Sequence, residues 1–94
     1  MPVFNDIDFI KQSVESILNQ SYSDFWLVIS DDASTDGTGE ICKNYALKDN
    51  RIKYIRHEKN LGISRNMQFL LSHATTEYFM WAGDDDLYAP DFIV

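Results

Sequence analysis

The stretch "GDDDLYAPDF" sets Asp84, Asp85 and Asp86 side by side with no lysine or arginine near them. Two carboxylates about 4 Å apart repel by roughly 4 kcal/mol at an effective dielectric near 20, so the cluster calls for either bulk water or a bound cation. A hard divalent ion, Mg2+ or Mn2+, takes one or two carboxylates and completes its shell with substrate phosphates. The plain alternative is a solvated acidic loop. Three charges directly behind the aromatic run "YFMWA" favour the metal.

A second acidic stretch, "SDDASTDGT" at residues 30–38, follows the apolar run "FWLVIS". Such residues also make ordinary connectors and caps. A carboxylate at a strand tip can instead accept hydrogen bonds from a ligand's N–H or hydroxyl groups. Asp31 and Asp32 point to opposite faces if the extended backbone persists, so at most one faces a cleft. Asp32 is assigned to it, and Asp36 to the start of the next helix. A third stretch, "NLGISRN" at residues 60–66, combines a turn over Asn60 to Gly62 with Arg65 near a helix N-terminus, where phosphates are favoured. An arginine there is more often simply solvated.

These groups need elements to position them. Ile7, Ile10, Val14, Ile17 and Leu18 recur at the spacing of one helix face, which predicts a helix over 7–20 with Asn5 or Asp6 at its cap. A buried strand is expected over 25–30. A second helix, capped by Asp36 or Thr38, carries Ile41, Cys42, Tyr45 and Ala46 inward. A strand over 52–57 nearer a sheet edge, a helix over 63–74 with Met67, Leu70 and Leu71 inward, and a last strand over 77–82 complete the pattern. Strands alternating with helices imply right-handed crossovers and a mostly parallel sheet, an α/β fold. Ligands of such sheets bind at the carboxyl ends of the strands, where both acidic stretches would arrive. The strand ending at Ser30 should then lie beside the one ending at Ala82, or one strand away.

Composition narrows the function. The 94 residues are 45% hydrophobic and 14% aromatic, as in a globular domain, and length sets the expectation of one domain over 1–94. A net charge of −7 argues against a nucleic-acid surface, because clustered lysine and arginine are missing. The single Cys42 excludes an internal disulfide and a multi-cysteine zinc site, and its apolar helical position reads as core. His57 and His73 have no metal-ligand spacing and read as surface or strand-end residues. Without a long apolar run or a leader pattern, a cytoplasmic location is expected, with the inner membrane face an option for a longer protein. The short "MPVF" before the first helix and the stop at "PDFIV" suggest cuts through a larger domain. Sheet edge and core face left uncovered by such cuts would favour a homodimer of the fragment.

Taken together, "PVFN", "SILNQSY", "SDDASTDGT", "NLGISRN" and "GDDDLYAPDF" resemble the family 2 glycosyltransferases, in family order and over nearly the whole chain. The resemblance implies a GT-A fold, with a three-layer α/β/α arrangement and a Rossmann-like nucleotide-binding half. It implies a nucleotide-diphosphate sugar donor, with a UDP-sugar favoured, and transfer to an acceptor hydroxyl with inversion at the anomeric carbon, as in polysaccharide biosynthesis. By resemblance, Pro2, Phe4 and Asn5 border the base, Phe4 stacks on it and Asp32 hydrogen-bonds it. Arg65 approaches the base or diphosphate, Asp84 approaches the ribose and Asp85 holds Mn2+ or Mg2+. The motif's first aspartate falls on Gly83, so ribose and metal contacts are expected to shift onto Asp84 and Asp86. The family's general base and acceptor half come after Val94, which would leave this segment alone a non-catalytic nucleotide-binding fragment. A glycan or a lipid-linked hydroxyl would be the acceptor.

The rival is a receiver-like phosphoacceptor module, which also gathers aspartates at strand ends near a metal. It would carry a lone aspartate at a central strand end and a lysine after the last strand. His57 ends the middle strand instead, and no lysine follows Lys59.

Overall fold

The computed structural model describes residues 1–21, 24–73 and 81–83. Three strands, β1 (Pro2–Val3), β2 (Leu27–Asp31) and β3 (Ile52–Arg56), alternate with three helices, α1 (Ile10–Leu18), α2 (Thr38–Lys48) and α3 (Ile63–Ser72). The sheet runs β1-β2-β3 and is parallel throughout. Register sets Val3 against Asp31, Pro2 against Ser30, Ile29 against Tyr54, and Asp31 against Arg56. Parallel neighbours in chain order require right-handed crossovers, which send α1 and α2 to the same face.

Alternation along β2 sorts the two faces. Ile29 is fully buried with Ile10, Val14 and Ile17 of α1 and Cys42 of α2. Ser30, pointing the other way, bonds Asn66 of α3, so α3 covers the opposite face. Helices on both sides of one sheet make the three layers. Burying each of the large aliphatic side chains contributes on the order of 1.5–3 kcal/mol, so this compact cluster is the main source of stability.

Local chemistry moves several boundaries. The first helix begins at Ile10, not at residue 7, and Phe9 stands at its cap without a side-chain bond. Asn5 lies in the left-handed region (φ +48°). The backbone amides of Asp6 and Ile7 donate to Thr38 and Asp36. These residues are held by the next loop and cannot lie on the helix face, which leaves Ile7 exposed. Gly37, at φ +95°, is the formal cap of α2. Asp36 nevertheless receives the Thr38 N–H at 3.0 Å, so it supports the first turn from one residue further out. In α3 the inward stripe runs through Asn66 and Leu70, one turn apart, while Leu71 falls off it and is exposed. The strand expected over 77–82 lies outside the described residues except for Trp81 and Ala82, which are not in a strand, although Ala82 packs in the core. Its place beside β2 likewise lies outside them. Among the described residues no helix is long and apolar enough to cross a membrane.

Candidate functional site

A cleft of about 370 Å³ opens at the carboxyl ends of β1 and β2, on the α3 side. Its walls are Pro2, Val3, Phe4, Asp32, Asn60, Gly62, Ile63 and Asn66. Three loops converge here because each strand ends at this edge, and hydrogen bonds lock them together.

The β2–α2 loop is the hub. Toward the first loop, the Asn5 N–H donates to Ser34 Oγ (2.9 Å) and the Thr35 N–H donates to Asn5 Oδ1 (2.7 Å). Toward the third loop, Asp32 accepts the Leu61 N–H at 2.6 Å and the Gly62 N–H at 2.9 Å, one on each carboxylate oxygen. Gly62 adopts φ +86° and ψ 155°, a region open essentially to glycine alone, and this conformation delivers its N–H to Asp32. A carboxylate offers about four lone-pair positions, so two backbone bonds leave acceptor capacity on Asp32 for a ligand.

Below Asp32, Asn66 forms a buried floor. Its Nδ2 donates to the Ser30 carbonyl at 2.9 Å, and Ser30 Oγ donates to Asn66 Oδ1. Ser30 Oγ also meets His57 Nε2 at 2.8 Å, and because its own proton goes to Asn66, the imidazole must be the donor. His57 sits edge-on against Phe69 of α3. At the mouth, Phe4 and Ile63 are exposed apolar surfaces.

On the other side of β2, Asp31 is fully buried and faces α2. Its carboxylate receives the Tyr54 hydroxyl (2.5 Å), Arg56 Nη1 (3.3 Å) and the Ser34 N–H (3.0 Å). Burial and then the bond to Asp31 push the Tyr54 phenol up to about 12. The bond to Tyr54, reinforced by the Asp31 charge, holds the Arg56 guanidinium above its usual range. At Asp36 burial acts to raise the carboxyl, but the Thr38 and Ile7 hydrogen bonds together outweigh it and hold the group below its usual value.

Of the residues singled out from sequence, Pro2, Phe4 and Asp32 line the cleft. Asn5 adjoins it, with its side chain engaged by the β2–α2 loop. Arg65 lies exposed in the first turn of α3 and is not among the lining residues. Asp84, Asp85 and Asp86 lie outside the described residues, and among the described residues no group of acidic, histidine or cysteine side chains is arranged to hold a metal. Asn66 and the Asp31 network were missed. The available signals were a polar residue one turn before Leu70 on α3, and Tyr54 and Arg56 at alternate positions of β3, on the side chain face that registers with Asp31.

Residues 1–93 match the model of the family described as glycosyl transferase family 2. EpsE of Bacillus subtilis, which carries a glycosyltransferase name, is 42% identical over 91 residues, covering 96% of this chain and 33% of its own length. The chain thus spans about a third of that relative. Among solved structures, S. aureus TarS in complex with UDP superposes with a TM-score of 0.85 at 28% identity, over 96% of this chain and 27% of TarS. The mannosyltransferase PcManGT of Pyrobaculum calidifontis, in complex with GDP-Man and Mn2+, gives 0.70 at 26% identity, over 79% and 23% respectively. The parallel βαβ sheet, the loop-built cleft at its carboxyl edge and these likenesses together make the chain a member of glycosyl transferase family 2, with the α/β fold of the GT-A glycosyltransferases.

Proposed function

We propose that this cleft takes the nucleoside end of a nucleotide-diphosphate sugar, whose sugar passes to an acceptor hydroxyl with inversion. The observation that carries the reading is Asp32, buried against two backbone amides yet lining the cleft beside exposed Phe4, in a chain of this family. Asp32 would accept from the donor groups of a base, and Phe4 would supply a stacking face. The complexes of TarS with UDP and of PcManGT with GDP-Man support a nucleotide ligand of this class.

An acidic edge repels a diphosphate, so the reading includes a divalent cation. Asp85 and Asp86 would hold it, with Asp84 toward the ribose; adjacent carboxylates are the hard oxygen donors that Mn2+ and Mg2+ prefer. When bound, such an ion neutralises charge developing on the leaving diphosphate. The chain's own contribution at this end is to bind and orient. The general base and the acceptor site belong to other parts of a full-length enzyme.

Calorimetry with UDP, GDP and TDP, each in EDTA and in Mn2+, tests this. One nucleotide should bind appreciably tighter with Mn2+, and Asp85→Asn should remove most of that gain, with Asp86→Asn removing less. Equal affinity in both buffers for all three nucleotides would refute the metal bridge, and no binding at all would refute the nucleotide reading.

A further inference from the structure

We propose that Asp31, Tyr54 and Arg56 form a positioning unit: without lining the cleft, they hold the turn that aims Asp32 into it, and so set the affinity for nucleotide. The inference rests on the nucleotide reading of the cleft.

The turn they hold is strained. Ala33, directly after Asp32, sits at φ +64°, a left-handed conformation that a residue with a Cβ disfavours. Strand alternation already points Asp31 to α2 and Asp32 to the cleft, and this reversal directly after Asp32 fixes the backbone that carries it. On its far side both polar backbone atoms of Ser34 are gripped. Its N–H donates to Asp31 Oδ1 at 3.0 Å, and its carbonyl accepts Arg56 Nη2 at 2.9 Å. The Ser34 hydroxyl then accepts the Asn5 N–H, so the grip also reaches the loop carrying Phe4.

Two features set this unit apart from ordinary core stabilisation. A buried ionic group is a poor way to add stability, since an apolar residue of similar size often does as well or better. Asp31 is nevertheless fully buried while the Arg56 side chain is 47% exposed, so the pair is an anchor reaching in from the surface to the end of β2. The fold also keeps room for it. A Cβ on Gly39 of α2 would stand 2.7 Å from Asp31 Oδ2, 2.7 Å from the Tyr54 hydroxyl oxygen and 3.0 Å from Arg56 Nη1. Any other residue at Gly39 would push the unit apart.

The test uses the full-length enzyme with Tyr54→Phe, Arg56→Gln and Arg56→Lys, probed with UDP, GDP and TDP in Mn2+. Tyr54→Phe removes one hydroxyl and keeps the ring packing, so it is expected to fold. For the nucleotide that wild type binds, Tyr54→Phe and Arg56→Gln should weaken affinity about tenfold, the size expected for a hydrogen bond to a charged group. KM for the donor should rise while kcat at saturation stays near wild type, and exchange of the Ser34 amide should quicken while exchange in the core of β2 does not. Arg56→Lys should fall between wild type and Arg56→Gln, because one ammonium cannot span Asp31 and the Ser34 carbonyl as a planar fork does. Ala33→Gly added to Arg56→Gln should recover part of the affinity by easing the turn. Folded variants with wild-type affinity and unchanged Ser34 exchange would overturn the proposal alone. Wild type that binds none of the nucleotides would overturn the cleft reading and this proposal with it.

Discussion

Two hollows of similar size mark the described part of this domain, and their walls are built differently. The cleft of about 370 Å³ is made from strand ends and loops, while a groove of about 300 Å³ between α1 and α2 is made from Lys11, Glu15, Ile41, Asn44, Tyr45 and Lys48. In the first, backbone amides are committed to Asp32, a glycine is held at positive φ, and Asn66 is buried in the floor. In the second, side chains on two helix surfaces meet, with the Tyr45 hydroxyl donating to Glu15 at 2.8 Å. Volume alone does not separate the two. A loop-built hollow holds its polar groups at fixed positions before a ligand arrives, whereas long side chains on a helix surface must be ordered by it, at a cost in rotamer freedom.

The largest expected effect contrasts one carboxylate from each hollow. Asp32→Ala strands the Leu61 N–H and leaves the Gly62 N–H only its second acceptor, Asn60 Oδ1, and should cost about 1–3 kcal/mol in urea unfolding, with loss of nucleotide affinity. Glu15→Gln should stay within about 0.5 kcal/mol and leave nucleotide affinity unchanged. Equal losses from the two would erase the distinction.

An intermediate effect comes from two tyrosines, Tyr54 in the Asp31 unit behind the cleft and Tyr45 in the wall of the groove. Both phenols are pushed up to about 12 from 10.0, by burial first and then by Asp31 and Glu15 respectively. The fold favours the neutral form, so this stability is fully present below pH 10 and is lost as pH rises from 10 toward 12. Unfolding midpoints measured across that window should fall, and Tyr54→Phe and Tyr45→Phe should each flatten the decline. A larger flattening at Tyr54 would mark its site as the more rigid. At the acid end, Asp49, held below its usual value by the bonds to Arg51, and Asp36 contribute stability that is lost as pH falls through their lowered values.

The smallest expected effect sharpens the contrast at one backbone position. Ala33→Gly should stabilise by about 0.5–1 kcal/mol, because glycine adopts φ +64° without the Cβ clash. Thermal unfolding of the single variant checks it, and a loss of stability would show that the turn is not strained.

The alternation of apolar runs with helical spacing was enough to place β2, α2, β3 and α3 within a few residues, because hydrophobic period and turn chemistry are local properties. The five motif blocks were enough for the family. Opposite orientations of Asp31 and Asp32 followed from strand geometry alone, since successive side chains of an extended chain must point to opposite faces. Which groups each carboxylate meets was decided by tertiary contact. Tyr54 and Arg56 reach Asp31 only through the parallel register of β2 and β3, and Leu61 and Gly62 reach Asp32 only because α3 folds back over β1 and β2. The late start of α1 has the same origin: its predicted first turn is drawn off by Thr38 and Asp36, residues about 30 positions away in sequence whose approach no local pattern encodes.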